Sequence, residues 1–268
     1  MNRIWRGIVF GLFLNMLGVS AWADDPPKKD DPPAKKDDAV QTPAEKFAAA
    51  KKANDEANVA FNKVIAELQK KKEKLSLENK DLNEAYQVRN KTTQALVKAA
   101  EELAKAEPTS PAGLEALNAV ISFGNPSPAI IKLLTEHHAA SPKVGQIIGR
   151  FYYSRETSDL AALMNKIIEV NPSRDIQANA MMTLARMKME SKPEEAEKLF
   201  ETIMEKYKDL PKFDTGLGKR AGGNLFELRN LQIGKVVPEI EGEDVDGKKF
   251  KISDYRGKVV MLDFWGHW

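Results

Sequence analysis

The chain has 268 residues, with 41 lysines and arginines, 39 aspartates and glutamates, and a formal net charge of +2. A balance this close to neutral argues against nucleic acid as the general partner, because nucleic-acid-binding proteins present an excess of positive charge to the phosphates. The sequence also contains no cysteine. This excludes disulfide bonds, a cysteine nucleophile and a lipid-modified cysteine within these residues.

The first 23 residues have the pattern of a signal peptide. Arg3 and Arg6 give a positive start, residues 7–21 are mainly apolar, and the small residues Ala21 and Ala23 define a cleavage site. The apolar stretch is shorter than the roughly 20 residues that a membrane-spanning helix needs, so an uncleaved anchor is the weaker alternative. We therefore expect an exported protein, periplasmic or otherwise extracytoplasmic, with no stable membrane span after cleavage. Without the two arginines, 39 basic residues face 39 acidic ones.

Residues 24–42 are a low-complexity stretch of aspartate, lysine and proline. It has almost no apolar side chains to bury, and its prolines favour extended polyproline II conformations. The composition predicts a solvated, disordered linker. An interaction tail is the alternative, although the composition selects no partner.

A long amphipathic helix or helical hairpin is predicted for residues 43–107. Thr42, Pro43 and Glu45 supply a cap, a proline at the first helical position and the glutamate of a capping box. Apolar residues then recur at multiples of seven, at Phe61, Leu68, Leu75, Leu82, Leu96 and Leu103. The positions three residues further on are weakly apolar, which favours a helix packed on its neighbours over a parallel coiled-coil dimer, the alternative. Because an unbroken helix would be about 100 Å long, we expect a break near residues 79–83.

Residues 108–231 are predicted to form a repeat-like α-helical domain. Serine–proline pairs mark several helix starts, and short apolar faces lie between them. Leu133, Ile167 and Ile203 align at separations of 34 and 36 residues, a period typical of stacked helical hairpins such as tetratricopeptide repeats. A break is predicted at residues 213–218, and only one or two further helical turns are expected at residues 224–231.

The last segment, residues 232–268, changes to a β pattern. The pair Asp246-Gly247 favours a tight hairpin turn with positive φ at both central positions. The nearly continuous apolar run of residues 259–265 is typical of a central strand that is covered on both faces. Its single charged residue, Asp263, is therefore expected to be buried.

Several motifs in this segment carry a resemblance to a known family. They are, in order, Pro238, Gly242, the turn at residues 244–247 (Asp-Val-Asp-Gly), residues 253–258 (Ser-Asp-Tyr-Arg-Gly-Lys) and residues 263–268 (Asp-Phe-Trp-Gly-His-Trp). Residues 233–268 resemble the opening of a thioredoxin-fold domain, most closely the exported TlpA/ResA-like members of the redoxin (AhpC/TSA) group. The resemblance implies a thiol–disulfide oxidoreductase with an antioxidant or redox-maintenance role, acting on protein thiols or disulfides without a cofactor.

In that family the next residues form Cys-x-x-Cys, so the resemblance implies a cysteine or selenocysteine after Trp268. Three explanations are open: a truncated chain, a degraded or frameshifted gene, and a selenocysteine codon taken for a stop. Under each of them the chain as given has no catalytic residue. It is expected to be inactive, because exchange chemistry requires a thiolate.

Four residues are expected to support this centre by resemblance. Asp263 corresponds to the buried aspartate that accepts a proton from the second cysteine, and Trp265 to a core aromatic residue. His267 lies beside the expected nucleophile and could tune its reduction potential, and Trp268 corresponds to the rim of the active site. The alternative is a structural role for Asp263, Trp265 and Trp268, and an exposed loop position without function for His267.

The adjacent residues His137 and His138 do not indicate a metal site. Neighbours on a helix point about 100° apart and do not readily bind one ion, so both are interpreted as surface or helix-capping residues. The sequence predicts no metal site and no cofactor.

The sequence as a whole predicts a mainly α protein. A long helix or helical hairpin precedes repeat-like helical hairpins, and the chain ends in the first β-hairpin and central strand of an incomplete thioredoxin-like α/β domain. A non-enzymatic scaffold is the alternative to the oxidoreductase. In that case residues 43–231 would bind a partner protein or peptide.

Overall fold

A computed structural model describes residues 41–263 and Gly266. The predicted signal peptide and nearly all of the predicted linker lie outside the described residues, as do Trp265, His267 and Trp268. The described part is mainly α-helical with a small two-stranded sheet, which confirms the predicted class. None of its helices is both long and apolar enough to cross a membrane.

The elements follow one another in a simple order. The helices are α1 (Pro43–Lys70), α2 (Lys80–Ala106), α3 (Pro111–Phe123), α4 (Pro128–His138), α5 (Gly145–Ile148), α6 (Ser158–Val170), α7 (Arg174–Lys188), α8 (Pro193–Lys206) and α9 (Leu217–Asn230). The strands are β1 (Glu241–Glu243) and β2 (Lys249–Lys251), and short 3₁₀ turns occupy Pro142–Val144, Gly149–Phe151 and Ile252–Tyr255. The predicted domain boundaries at residues 107/108 and 231/232 stay a prediction.

The capping box predicted at the start of α1 is confirmed. Thr42 Oγ1 accepts the Glu45 N–H at 3.2 Å, and Glu45 Oε2 accepts the Thr42 N–H at 2.8 Å. Two backbone donors that the helix cannot satisfy internally are thereby paired. Together with Pro43 at the first position, they fix where the helix begins.

The break between the first two helices comes earlier than predicted. Helix α1 ends at Lys70, and Asn79 caps α2 by accepting the Leu82 N–H at 3.1 Å. The predicted break at residues 79–83 therefore covers the start of α2, because Asn79 begins a helix. Leu75 lies in the connection and is exposed, although it occupies one of the heptad positions.

Helices α1 and α2 form an antiparallel hairpin, one of the two predicted arrangements. Asn54 is buried and accepts a hydrogen bond from the Thr93 hydroxyl at 2.8 Å, while the rings of Phe61 and Tyr86 meet seven residues further along each arm. Residue numbers rise along α1 from one contact to the next and fall along α2, so the two helices run in opposite directions. A buried asparagine with a partner fixes the register of such a pair, because a shift would leave its oxygen unpaired.

Helix α7 lies between two apolar cores. One core is formed with α1 to α6, and α7 contributes to it Ile176, Ala180, Leu184 and Met187. The other is formed with α8 and α9, and α7 contributes to it Ala178, Met181, Met182, Ala185 and Met189. Of the three residues aligned by the predicted period, Ile167 and Ile203 are fully buried and Leu133 is half-buried. The tetratricopeptide-like period itself stays a prediction.

Helix α9 is longer than the one or two turns predicted. It begins at Leu217 and contains both Gly222 and Gly223. A glycine in a helix interior costs about 1 kcal/mol relative to alanine. Tertiary packing outweighs this cost, because Leu217, Ala221 and Leu228 are buried in the core shared with α7 and α8.

His138 is buried, which makes its prediction as a surface or capping residue wrong. The residue is 6% exposed, and its Nε2 donates a hydrogen bond to the Pro108 carbonyl oxygen at 2.7 Å. His137, the adjacent residue, is exposed as predicted. Burial lowers the pKa of His138, and this effect exceeds the opposing one of the bond to Pro108.

We predict that stability decreases below neutral pH and that His138 contributes to the decrease. Its folded-state pKa lies below the unfolded value of about 6.5, so as the pH falls below that value the unfolded chain takes up a proton that the folded chain does not. The contribution is therefore complete above about pH 6.5 and lost below it. Urea denaturation at pH 7.5 and pH 5.0 should show a smaller pH effect for His138→Gln, which keeps an N–H donor. His137→Gln should reduce the pH effect less, because the charge of His137 lowers the pKa of His138 less than burial does, and equal behaviour of the two variants would contradict the assignment.

Candidate functional site

The predicted β-hairpin forms in the C-terminal segment. Strands β1 and β2 pair in antiparallel register, with Gly242 opposite Phe250. A Cβ atom on Gly242 would lie only 3.1 Å from the Phe250 ring, so the ring packs over the glycine. The pairing continues where the Ile252 N–H donates to the Ile240 carbonyl oxygen at 2.9 Å.

The turn of the hairpin differs from the two-residue turn that was predicted. Gly247 has a φ of +78°, but Asp246 does not share the positive φ. Asp244 Oδ1 instead accepts the N–H groups of Asp246 at 3.0 Å and of Lys248 at 2.9 Å. An aspartate side chain that bonds to the backbone two residues on builds a longer turn by itself, so only the glycine needs the left-handed conformation.

Two carboxylates connect the hairpin to the 3₁₀ turn that follows. Glu239 Oε1 accepts the Ser253 N–H at 3.0 Å, and Asp254 Oδ2 accepts the Lys251 N–H at 2.9 Å. Hydrogen bonds from Ser253 hold the pKa of Glu239 below its usual value, and the bond from the Ser253 hydroxyl has a larger effect than the bond from its backbone N–H. The path of the chain into residues 256–263 is therefore set by side chains near the turn.

The central strand predicted for residues 259–265 does not form in the part that the structure describes. Residues 258–263 have no regular secondary structure, and Val259 and Met261 are 103% and 92% exposed. Asp263 is exposed, so the expectation that it is buried is wrong here. A central strand needs a partner along each edge and cover on each face, and the two described strands pair only with each other.

Of the four supporting residues, the structure places only Asp263. Trp265, His267 and Trp268 lie outside the described residues, so no geometry brings the four together, and their roles stay predictions. In residues 41–263, no three histidine, aspartate or glutamate side chains come close enough to hold a metal ion. The described segment therefore provides a backbone framework, and the sequence contains no cysteine to act as the thiol nucleophile.

Part of the chain is similar to known thiol–disulfide oxidoreductases. The thiol-disulfide oxidoreductase ResA of Bacillus thuringiensis (strain Al Hakam) is 41% identical over 46 residues, and ResA of Bacillus cereus (strain ATCC 10987 / NRS 248) is 45% identical over 46. ResA of Geobacillus thermodenitrificans (strain NG80-2) is 38% identical over 53 residues. No protein-family model and no solved structure matches the chain.

The similarity covers a small part of each protein. The 46 matched residues are 17% of this chain and 27% of the two Bacillus proteins, and the 53 are 19% and 30% for the Geobacillus protein. The chain thus spans less than a third of the length of these relatives. The comparison supports a relationship to thiol–disulfide oxidoreductases within that part.

We predict that the exposed apolar run makes the chain prone to aggregation. Val259 and Met261 are side chains of high exposure in a segment that no described strand pairs with, and such segments associate edge to edge. The double substitution Val259→Lys/Met261→Lys should raise the soluble concentration severalfold, because charges on an exposed β-prone segment oppose stacking. The melting temperature should stay within about 2 °C, because surface substitutions typically change stability by less than about 0.5 kcal/mol.

The measurements are light scattering during concentration and a thermal melt followed by circular dichroism. Lys248→Ala/Lys249→Ala, which removes two charges from the exposed hairpin, serves as the opposite control. Unchanged scattering for the double-lysine variant would mean that these side chains do not drive association.

Proposed function

We propose that residues 233–268 are part of a thioredoxin-like thiol–disulfide oxidoreductase domain. The observation that carries the proposal is the similarity to ResA, 41% over 46 residues. The hairpin at residues 241–251, with its glycine turn and following 3₁₀ turn, agrees with the order of the motifs in this segment. The activity of the whole protein, its thiol or disulfide substrates and its redox partner belong to the same proposal.

The chemistry assigns this segment a supporting role. In thiol–disulfide exchange a thiolate attacks one sulfur of a disulfide, the sulfur–sulfur bond breaks, and the other sulfur leaves as a thiolate. A second thiol then loses its proton and attacks the sulfur of the first thiol in the mixed disulfide, so that a disulfide forms between these two sulfurs and the attacked substrate sulfur leaves as a thiolate. No residue of the 268 can be that nucleophile, so within the proposal Asp263 is the group that receives the proton of the second thiol.

Burial of Asp263 is a requirement of this role. A carboxylate that takes a proton from a nearby thiol works best away from water, where the transfer does not compete with solvent. Once residues 259–265 form a paired strand, Asp263 would share a face with Met261 and Trp265, because alternate side chains of a strand point the same way, and cover on that face would exclude water. Asp263 is exposed in the described residues because residues 259–263 pair with no strand there.

We predict that residues 233–268 can replace the corresponding segment of ResA from Bacillus thuringiensis. The chimera should fold and reduce the disulfides of insulin, measured by turbidity. Asp263→Asn in the chimera should then slow reduction by about 10²-fold, the lower end of what a positioned acid or base contributes. Asp246→Asn, in the exposed turn of the hairpin, is the matched control and should have no effect.

Two results would contradict the proposal. A chimera that folds, with the melting behaviour of the parent, but does not reduce insulin would show that the segment is not equivalent. A chimera that is equally active with aspartate or asparagine at position 263 would remove the proton-accepting role.

We also propose that the protein is exported and that residues 1–23 are removed. The proposal rests on the charged start, the apolar stretch and the small residues Ala21 and Ala23. An extracytoplasmic location agrees with disulfide chemistry, which oxidising compartments permit.

We predict that the mature protein begins at Asp24. Mass spectrometry of the protein recovered from the periplasm or medium of a bacterial host should give this N-terminus. Ala21→Asp/Ala23→Asp should block cleavage, because the processing site accepts small residues at these two positions. Trp22→Ser, between them, should be cleaved normally, and intact residues 1–23 on exported wild-type protein would indicate an anchor instead.

A further inference from the structure

The connection between α5 and α6 presents aromatic and basic side chains to solvent. Residues 149–157 read Gly-Arg-Phe-Tyr-Tyr-Ser-Arg-Glu-Thr. Phe151 is buried and anchors the connection in the core, while Tyr153 is 86% exposed and Arg155 is exposed. The edge of one tyrosine ring meets the face of the other, with 4.8 Å between the centroids of Tyr152 and Tyr153. An exposed tyrosine held this way contributes nothing to the core.

The connection is held by a cluster of charges, in which the Glu156–Lys188 pair has little exposure. Glu156, with 13% of its side chain exposed, accepts a hydrogen bond from Lys188 Nζ at 2.7 Å, and the Lys188 side chain is 10% exposed. Lys192 Nζ lies 3.3 Å from the other Glu156 oxygen, and Glu195 accepts a second bond from Lys188 at 2.8 Å. The bonds from Lys188 and Lys192 lower the pKa of Glu156, the bond from Lys188 most of all. The backbone beside Tyr153 and Arg155 is therefore fixed before any partner binds, which reduces the entropy lost on binding.

Two hollows lie on either side of Tyr153. A groove of about 490 Å³ is lined by Gly149, Tyr152 and Tyr153, by residues of α7 and by Arg220 of α9. A smaller hollow of about 170 Å³ is lined by Tyr152, Tyr153, Arg155 and Arg186. The two tyrosines thus separate a hollow with one arginine from a hollow with two.

The three arginines have no carboxylate partner in the part of the chain that the structure describes. The arginine–carboxylate pairs found there involve Arg174 and Arg229 only. Arg220 donates to the Asn179 side-chain oxygen at 3.2 Å and lies 5.9 Å from the centre of the Tyr152 ring, and Arg186 contacts the Met189 sulfur. In the described residues these three positive charges are therefore available to a ligand.

We infer that this surface, formed by Tyr152, Tyr153, Arg155, Arg186 and Arg220, binds an acidic peptide segment of a partner protein. Arginine pairs with carboxylates through two parallel hydrogen bonds. Tyrosine and arginine are also enriched among the few residues that contribute most of the binding energy in protein interfaces. An extended peptide crossing Tyr153 would bring carboxylates to the arginines on both sides, since alternate side chains of an extended chain point the same way.

A peptide fits this surface better than a nucleic acid does. Glu190 also lines the smaller hollow, and it would repel a continuous phosphate backbone but only one side chain of a peptide. Nucleic-acid surfaces also carry a long stripe of positive charge, whereas here three arginines surround two rings. This inference is independent of the proposed redox activity, because it concerns α5 to α9 and needs no thiol.

The test uses the full chain and a fluorescein-labelled peptide of five Glu-Ala repeats, with binding measured by fluorescence anisotropy. Removing two charges by Arg155→Ala/Arg220→Ala should weaken binding about tenfold or more, the scale of an interface hot spot. Lys143→Ala/Lys219→Ala removes the same charge from exposed positions outside the surface, and should change the dissociation constant less than about twofold.

Two single variants test the geometry without touching the core. Tyr153→Ala truncates an exposed side chain and should weaken binding severalfold. Gly149→Glu places a carboxylate in the larger groove, where a new Cβ meets no atom within 4 Å, and should repel the peptide. Thermal melts of both should match the wild type, so they decide the question even if the double arginine variant folds poorly.

Four results would each overturn the inference. A peptide of five Gln-Ala repeats could bind as tightly as the acidic one, or the lysine control could weaken binding as much as the arginine variant. A ten-residue thymidine oligonucleotide could bind more tightly than the acidic peptide, which would make the surface a nucleic-acid site. Finally, the acidic peptide could fail to bind at all at low ionic strength.

Discussion

The helical part of this protein depends on how Asn171 joins α6 to α7. The side chain is 1% exposed, and its Nδ2 donates to the carbonyl oxygens of Ala139 at 2.8 Å and Ser141 at 3.1 Å. Its Oδ1 accepts the Ser173 N–H at 3.0 Å, so one side chain connects the end of α4, the end of α6 and the start of α7. Buried polar groups are costly when unpaired and specific when paired. Because α7 contributes to both apolar cores, fixing its start also fixes how the two cores are arranged about it.

The fixed position of α7 also explains why the connection at residues 149–157 can carry exposed aromatic and basic side chains. Helix α7 ends in Lys188, which reaches back to Glu156 and holds the connection against the end of the helix. Asn171 thus positions the start of α7, and the Lys188–Glu156 ion pair, which has low exposure, joins the end of α7 to the connection. A buried ion pair adds little net stability, since desolvation offsets the attraction. What it provides here is a fixed backbone next to Tyr153 and Arg155.

Local signals in the sequence were enough to predict where many elements begin. Thr42 with Glu45 predicted the start of α1, and the Asp-Gly pair at residues 246–247 predicted the hairpin, because both depend on neighbouring residues alone. Two of the predictions that failed depend on distant contacts. The Pro108 carbonyl oxygen that accepts a hydrogen bond from the buried His138 is 30 residues away in the sequence. The core that keeps Gly222 and Gly223 helical is formed with α7 and α8. The arginine surface had no sequence signal, because whether a basic side chain has a carboxylate partner is decided by packing.

The predicted strand is absent from the described residues for a different reason, which is that the helical part has complete cores without the C-terminal segment. The helices bury their apolar faces on each other, so their cores are complete within residues 43–230. The hairpin has three paired residues in each strand and only a few half-buried side chains, and an isolated two-stranded hairpin is at best marginally stable. Residues 259–263 have strand composition without strand partners, so their conformation is set by solvent. The helical part therefore has its own source of stability, whereas the described C-terminal residues have only the paired hairpin. Within the proposed function, Asp263 would be enclosed only if further strands joined this sheet.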